Sequence, residues 1–428
     1  MANYAEKLPK MLFGEELKEA LTCLPEYDAS IREADPGTRL LRLTDLYKVF
    51  LPGTMASEIY HKLYMMTSMS LSQKGTVASV RQLNANHKWM NGGEFHGVAT
   101  GATSATVIGA SGIGKSTCIR KAMDMLGGII EIEQPYRKII PVLMVSTPFD
   151  CNYKGLLCQV LMAIDEALDT NYYEKSQKST MNAQQILGMV SQVCHQFVGT
   201  LIIDEIQFIV QHKAGQQLYR MILQLINTSC NILLVGTNEC LPFFTQDQNA
   251  FQMARRSVGL QYEALDYGEE FKNLCGVLFS YQYVRNEASL TDRLMFWMYE
   301  HTGGNPSTLV SLIHDAQEIA ILEGTEVLGL DTLTKAYNSR LQMLHGYINP
   351  GITKKAKAGT VRSKPSLPKE LAEECPAMEA TPYKESASVS ASSEGYTPIA
   401  EIVDKAKRTN LNIVALMKEH FPVVEVAV

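Results

Sequence analysis

Two stretches of this 428-residue chain carry residue types at spacings that could do chemistry. The first is GASGIGKS, Gly109–Ser116, which follows an apolar run ending in Thr106–Ile108 and opens an amphipathic helical pattern. Its spacing is that of a phosphate-binding loop: glycine, four residues, glycine, lysine, then a hydroxyl residue. Gly112 and Gly114 let the backbone turn several N–H groups onto one anion, and the positive end of the following helix adds attraction. Within Gly109, Ala110, Ser111, Gly112, Ile113, Gly114, Lys115, Ser116 and Thr117, the chemistry divides. Lys115 is placed for β- and γ-phosphates, Ser116 for Mg²⁺, and the Thr117 backbone for an α- or β-phosphate. The alternative is a glycine-rich strand–helix turn with an exposed lysine. The full motif in its proper flanks argues against it.

The second stretch is TLIIDEIQFI, an apolar strand pattern ending in two acids, Asp204 and Glu205. Asp204 is placed to hold the water shell of Mg²⁺, and Glu205 to orient and deprotonate an attacking water. Two further stretches could complete such a site. NILLVGTNE ends a buried-strand pattern in Asn238, a candidate contact for the γ-phosphate or the water; a strand-end Asn is also an ordinary turn former. QMARRSVGL puts Arg255 and Arg256 just before the last strand pattern, where an arginine could reach a neighbouring subunit's nucleotide. A surface pair of arginines is the other reading. No Asn-Lys-x-Asp guanine-reading motif occurs, so ATP with Mg²⁺ is the expected ligand.

Elements that alternate must position these residues. From Thr103 the runs TSATVI, KIIPVLMV, GTLIID, NILLVG and VGLQYEAL alternate with amphipathic helical patterns, which predicts a parallel sheet with helices on both faces. Before it, residues 1–95 read as a mostly helical extension, with a helical run through Ile59, Leu63 and Met66. Residues 96–268 form the expected α/β core. Residues 269–348 lose strand character; Leu309, Leu312, Ile313, Ala316, Ile319 and Ala320 fall on one helical stripe, predicting a helical lid. Residues 349–397 are basic and then Ser-rich, a composition expected to be disordered. Residues 398–428 regain apolar spacing at Ile399, Ile402, Val403 and Ala406, as a tethered partner-binding segment would.

Composition sets the outer limits. Hydrophobic residues make up 46% and charged residues 20%, ordinary for a globular chain, and the net charge of −6 argues against a histone-like coat on nucleic acid. Nine scattered cysteines without a Cys-x-x-Cys pair predict reduced thiols rather than disulfides or zinc. No apolar run is long enough to span a bilayer and the N-terminus mixes charge signs, so a cytoplasmic protein without membrane contact is expected.

Phosphate loop, Asp-Glu strand, strand-end Asn, arginines before the last strand and helical lid together resemble an AAA+ ATPase, with an additional strand between the two nucleotide motifs. Within that superfamily the chain resembles transposition regulators of the TnsC/TniB type over about residues 40–345. The resemblance rests on RLTDLYKVFLP, VSTPFDCNYKGLLCQVL, TLIIDEIQFI and TGGNPSTLVSLIHDAQEIAILEG. It implies an ATPase that forms a homo-oligomeric ring or filament on duplex DNA. It also implies a target-selector protein and a transposase as partners, with disassembly on hydrolysis. One departure stands out. The lid helix opens GGNPSTL, without the arginine near the proline that many AAA+ proteins use as a second sensor, so coupling of ATP to the lid would run through other contacts. Tyr136, Arg137 and Lys138, with Tyr153 and Lys154, are the basic–aromatic candidates for DNA phosphate contact; solvated loop charges are the plainer reading. A helicase loader or initiator-like ATPase would share every nucleotide motif, and a nucleotide-gated scaffold with incidental hydrolysis is a third reading.

Overall fold

The computed structural model describes residues 3–74, 76, 78, 81, 103–133, 136–177, 181–211, 215–228, 230–241 and 259–348. By its contacts the chain divides into two compact units, Met1–Val361 and Arg362–Val428, and every described residue belongs to the first. The expected tail segments therefore lie outside the described residues.

The expected strands form, with one addition. A six-stranded sheet runs in the order β2-β3-β4-β5-β1-β6. Its strands are β1 (Ser104–Gly109), β2 (Ile130–Glu133), β3 (Tyr136–Ser146), β4 (Val198–Asp204), β5 (Asn231–Gly236) and β6 (Leu260–Tyr262). All neighbours pair in parallel except β2, which pairs antiparallel with the start of β3. Because β5 stands between β1 and β4, the phosphate loop and the acidic strand end open on the same edge with a strand end between them.

Strand alternation divides the core into two layers, since successive side chains point to opposite faces. Leu201, Ile203, Ile232 and Leu234 face one side, with helices from Tyr153–Leu168 and Ala183–Phe197 packed on them. Ile202, Leu233 and Val235 face the other, against the helices Thr54–Lys74 and Lys115–Leu126. The first of these, the long N-terminal helix, carries Ile59, Leu63 and Met66 buried on the sheet, as their spacing predicts. Buried polar bonds fix its seat: Thr67 Oγ1 lies 3.0 Å from Thr200 Oγ1, and Asn231 Nδ2 donates to the Met66 carbonyl at 2.6 Å.

A third core belongs to the helical lid. Helices Glu269–Ser280, Asp292–Thr302, Pro306–Glu323 and Leu330–Ser339 bury Phe271, Leu309, Leu312, Ile313, Ala316 and Leu333 among themselves. Leu43 and Leu46, from the N-terminal part of the chain, are buried in this same cluster. The N-terminal stretch is thus shared. Tyr4, Leu8, Leu17 and Leu21 pack on the sheet layer, the segment around Leu43 packs in the lid, and the helix from Thr54 returns to the sheet. Arg39, fully buried, holds the crossing by a bidentate bond to Glu326 (2.6 and 2.7 Å) and a third bond to the Tyr283 carbonyl at 3.0 Å.

Candidate nucleotide-binding site

The loop between β1 and the helix Lys115–Leu126 has the backbone its glycines suggest. Gly112 and Gly114 hold φ +79° and +94°, the left-handed region where a side chain would strain. Gly109 has a second reason to lack a side chain: a Cβ there would come within 2.5 Å of the Tyr262 carbonyl on β6. That carbonyl accepts from the Ala110 N–H at 3.3 Å, so the last strand braces the start of the loop.

Lys115, 8% exposed, folds back over the loop, donating to the carbonyls of Gly109 (2.9 Å) and Ala110 (2.8 Å). Burial lowers its pKa, and the charges of Asp204 and Glu205 pull the other way. The site therefore holds a partly desolvated cation facing two carboxylates, an arrangement in which added phosphate charge has much to gain. Ser116 Oγ donates to Asp204 Oδ2 at 2.8 Å, which brings together the two residues read from sequence as magnesium-holding. The Glu205 N–H donates to Asp204 Oδ1 at 2.8 Å, and Glu205 takes φ +61°. A non-glycine residue there costs on the order of 1 kcal/mol or more, and such strain concentrates at functional sites. Here it turns the Glu205 side chain out of the strand direction at the edge where β4 ends.

The fit to a nucleotide and its metal also shows in what is left over. Thr147 Oγ1, after β3, and Thr237 Oγ1 and Asn238 Oδ1, after β5, are buried without a hydrogen-bond partner. Unpaired buried acceptors and hydroxyls are costly, and all three sit at strand ends flanking Asp204. A hydrated cation with its phosphates would supply the missing partners. Asn238 Nδ2 meanwhile reaches Glu263 Oε1 at 3.3 Å.

Gln207 is a site residue with no signature in the sequence. Its side chain, 6% exposed, donates through Nε2 to Glu205 Oε2 and accepts through Oε1 from the Thr237 N–H at 3.2 Å. One amide thus ties the acid at the end of β4 to the strand end that carries Asn238. Gly236 leaves the room for it, since a Cβ there would meet Gln207 Oε1 at 3.1 Å. Only the position of Gln207, two residues past Glu205 at the start of the short helix Gln207–Gln211, could have marked it. The neighbouring Cys240 thiol is pushed up to about 12 by burial, so it stays neutral and offers no nucleophile.

The other expected residues scatter. Arg255 and Arg256 lie outside the described residues. Tyr136, Arg137 and Lys138 begin β3, paired with Glu133, Ile132 and Glu131 of the edge hairpin. Lys138 Nζ lies 3.9 Å from Glu131. They stand about 30 Å from the nucleotide edge, at 3.3 Å per residue along the strand. Tyr153 and Lys154 begin the helix after β3, on the nucleotide side, with Tyr153 partly buried against the core and Lys154 exposed. The structure does not bring the two groups together.

Residues 95–261 match the family described as Bacterial TniB protein. No curated protein matches the chain. Among solved structures it is similar to the Aeropyrum pernix ORC1 protein in complex with DNA, at 16% identity and TM-score 0.40, covering 62% of this chain. The match spans 64% of that protein's length. It is also similar to Drosophila ORC bound to DNA, at 11% identity and TM-score 0.44, over 97% of this chain and 83% of that one. AMPPCP-bound DnaA from Aquifex aeolicus matches at 15% identity and TM-score 0.34, over 71% and 72%. Among the described residues no helix is long and apolar enough to cross a membrane. The segment that matches this family, residues 95–261, carries the phosphate loop and strands β1–β5.

Proposed function

We propose that the chain is an ATP-dependent regulator of DNA transposition. It oligomerises on duplex target DNA, links a target-selector protein to the transposase, and disassembles when ATP is hydrolysed. The observation that carries this reading is one coincidence: the segment matching the TniB family, 95–261, also contains the whole strand-end arrangement of Lys115, Ser116, Asp204, Glu205 and Asn238.

Chemically, the loop amides and Lys115 hold the phosphates, while Ser116 and Asp204 would hold Mg²⁺, which would neutralise phosphate charge when bound. Glu205 orients the attacking water and accepts its proton, and Asn238 contacts the water or the γ-phosphate. Arg255 or Arg256 from a neighbouring subunit supplies positive charge at the transferring phosphate, so that turnover requires assembly. Tyr153 and Lys154 contact the DNA backbone, and Tyr136, Arg137 and Lys138 form a second candidate contact. The segment 398–428, tethered by 349–397, docks on the transposase, the tether raising its local concentration.

The test combines three readouts on the full chain. Duplex DNA with ATP should produce rings or filaments by electron microscopy, and DNA should stimulate phosphate release. A chain ending at 349 should still assemble yet fail to retain transposase in a pull-down. Assembly and hydrolysis indifferent to DNA would contradict the regulator. Full transposase retention by the truncated chain would move the docking surface to the ATPase.

A further inference from the structure

The lid touches the phosphate loop directly, at its apex. Asn305, which caps the lid helix Pro306–Glu323, accepts through Oδ1 from the N–H groups of Ser307 (3.1 Å) and Thr308 (3.4 Å). Its other amide atom is turned outward: Nδ2 donates to the Ser111 carbonyl at 2.7 Å. The Ser307 N–H also donates to the Gly112 carbonyl at 3.2 Å. The fit is close enough that a Cβ on Gly112 would meet Asn305 at 2.9 Å. The same corner is braced from behind, where Leu265 N–H, just past β6, donates to the Gly304 carbonyl at 3.0 Å.

These bonds bear on anion binding through peptide geometry. A peptide unit is planar and trans, so its carbonyl and its N–H point in opposite directions. Holding the Ser111 carbonyl toward the lid turns the Gly112 N–H away from the lid, and holding the Gly112 carbonyl does the same for the Ile113 N–H. Both are amides of the phosphate-binding loop. At Gly112 the backbone has no Cβ to resist rotation, so an outside donor decides its orientation.

Building on the nucleotide reading above, we propose that Asn305 couples nucleotide to lid. It is a positioning residue that orients the loop amides from the carbonyl side and takes the place of a sensor arginine. The coupling runs both ways. An anion on the Gly112 and Ile113 amides polarises those peptide units and makes their carbonyls better acceptors for the lid. By reciprocity, a lid held on the loop binds nucleotide more tightly.

Two substitutions separate this role from capping. Asn305→Asp and Asn305→Ser both keep a good helix cap. A carboxylate has no proton to donate to Ser111, and a serine is too short to reach it. The two variants also differ in charge, so an effect shared by both is not electrostatic. In the full chain, affinity for a fluorescent ATP analogue with Mg²⁺ should fall about three- to tenfold in each, the range one hydrogen bond commands. Nucleotide-induced hydrogen-exchange protection of residues 303–309 should disappear, while the melting temperature without nucleotide stays near wild type. If both variants bind the analogue as wild type does and keep the induced protection, the coupling is wrong and the nucleotide reading survives. If wild type itself does not bind the analogue, the nucleotide reading falls and the coupling with it.

Discussion

Ser116 and Asp204, 88 residues apart, meet through one 2.8 Å bond at the nucleotide edge; Arg39 and Glu326, 287 residues apart, meet through two bonds at the lid. The first contact follows from the sheet order: Ser116 opens the helix after β1, Asp204 ends β4, and with only β5 between the two strands both residues reach the same edge. The second joins segments with no shared element. Arg39 is fully buried, and its charge is matched by Glu326, the Tyr283 carbonyl and the Ala34 carbonyl at 3.1 Å. The nucleotide edge instead keeps polar atoms unpaired at Thr147, Thr237 and Asn238 and a strained Glu205. The Arg39 charge is fully matched and holds the fold, although the Tyr283 hydroxyl in the same lid is unpaired. The nucleotide edge gathers three unpaired polar atoms around Asp204, where a charged ligand would supply partners.

Substitutions can break that contrast from either side. The largest effect should follow Lys115→Ala, which removes the loop's only side-chain cation and should lower MgATP affinity by more than about a hundredfold in a calorimetric titration. Its melting temperature without ligand should not fall, because a lysine with a burial-lowered pKa costs the empty fold something. A marked loss of stability would make Lys115 structural. Arg39→Met should do the reverse. Leaving the half-buried Glu326 with only the Arg285 N–H as partner should cost on the order of 2 kcal/mol in denaturant unfolding, while folded protein keeps its nucleotide affinity. An effect below about 0.5 kcal/mol would show the pair to be a surface ornament.

Gln207→Ala sharpens the comparison inside the site. Freed from its amide tether, the Glu205 carboxylate loses orientation, so kcat should drop about tenfold with KM nearly unchanged. Equal changes in both constants would point to a collapse of the site instead.

The most gradual effect, spread over a pH window, concerns Lys74, at the end of the long N-terminal helix, whose ammonium donates to the His195 carbonyl at 2.5 Å. Burial pushes its pKa down to about 8 from 10.5. The folded state therefore binds this proton less readily than the unfolded chain. Its charged form costs stability below pH 8, and that cost is relieved as pH rises from 8 toward 10.5. Compared with Lys74→Met, wild type should gain on the order of 1 kcal/mol per pH unit across that window. A pH-independent difference between the two would mean that the ammonium is fully compensated by its carbonyls.

The same contrast explains what could be read in advance. The phosphate loop, the five parallel strands and the buried stripe of the lid helix are local patterns, each specified within about twenty residues. β2 was missed because IEIE is four residues long, although Ile130 and Ile132 alternate as a half-buried edge strand should. Gln207 gave no signal because a lone amide has no motif, and its importance comes from reaching both Glu205 and Thr237. The absent sensor arginine was visible in GGNPSTL, but not that Asn305 would meet Ser111, since 194 residues separate them. Nor could the division of the N-terminal stretch between sheet and lid be read, because Leu43 and Leu63 look alike until the two cores they enter are known.

The proposed function stands or falls with ATP hydrolysis at the edge where β1 and β4 end, with Glu205 handling the water. Phosphate release by Glu205→Gln, measured alongside its MgATP affinity, tests this most directly. The variant should keep wild-type affinity with turnover reduced about a hundredfold or more, since the ground state does not need the base. Wild-type turnover in that variant would contradict it.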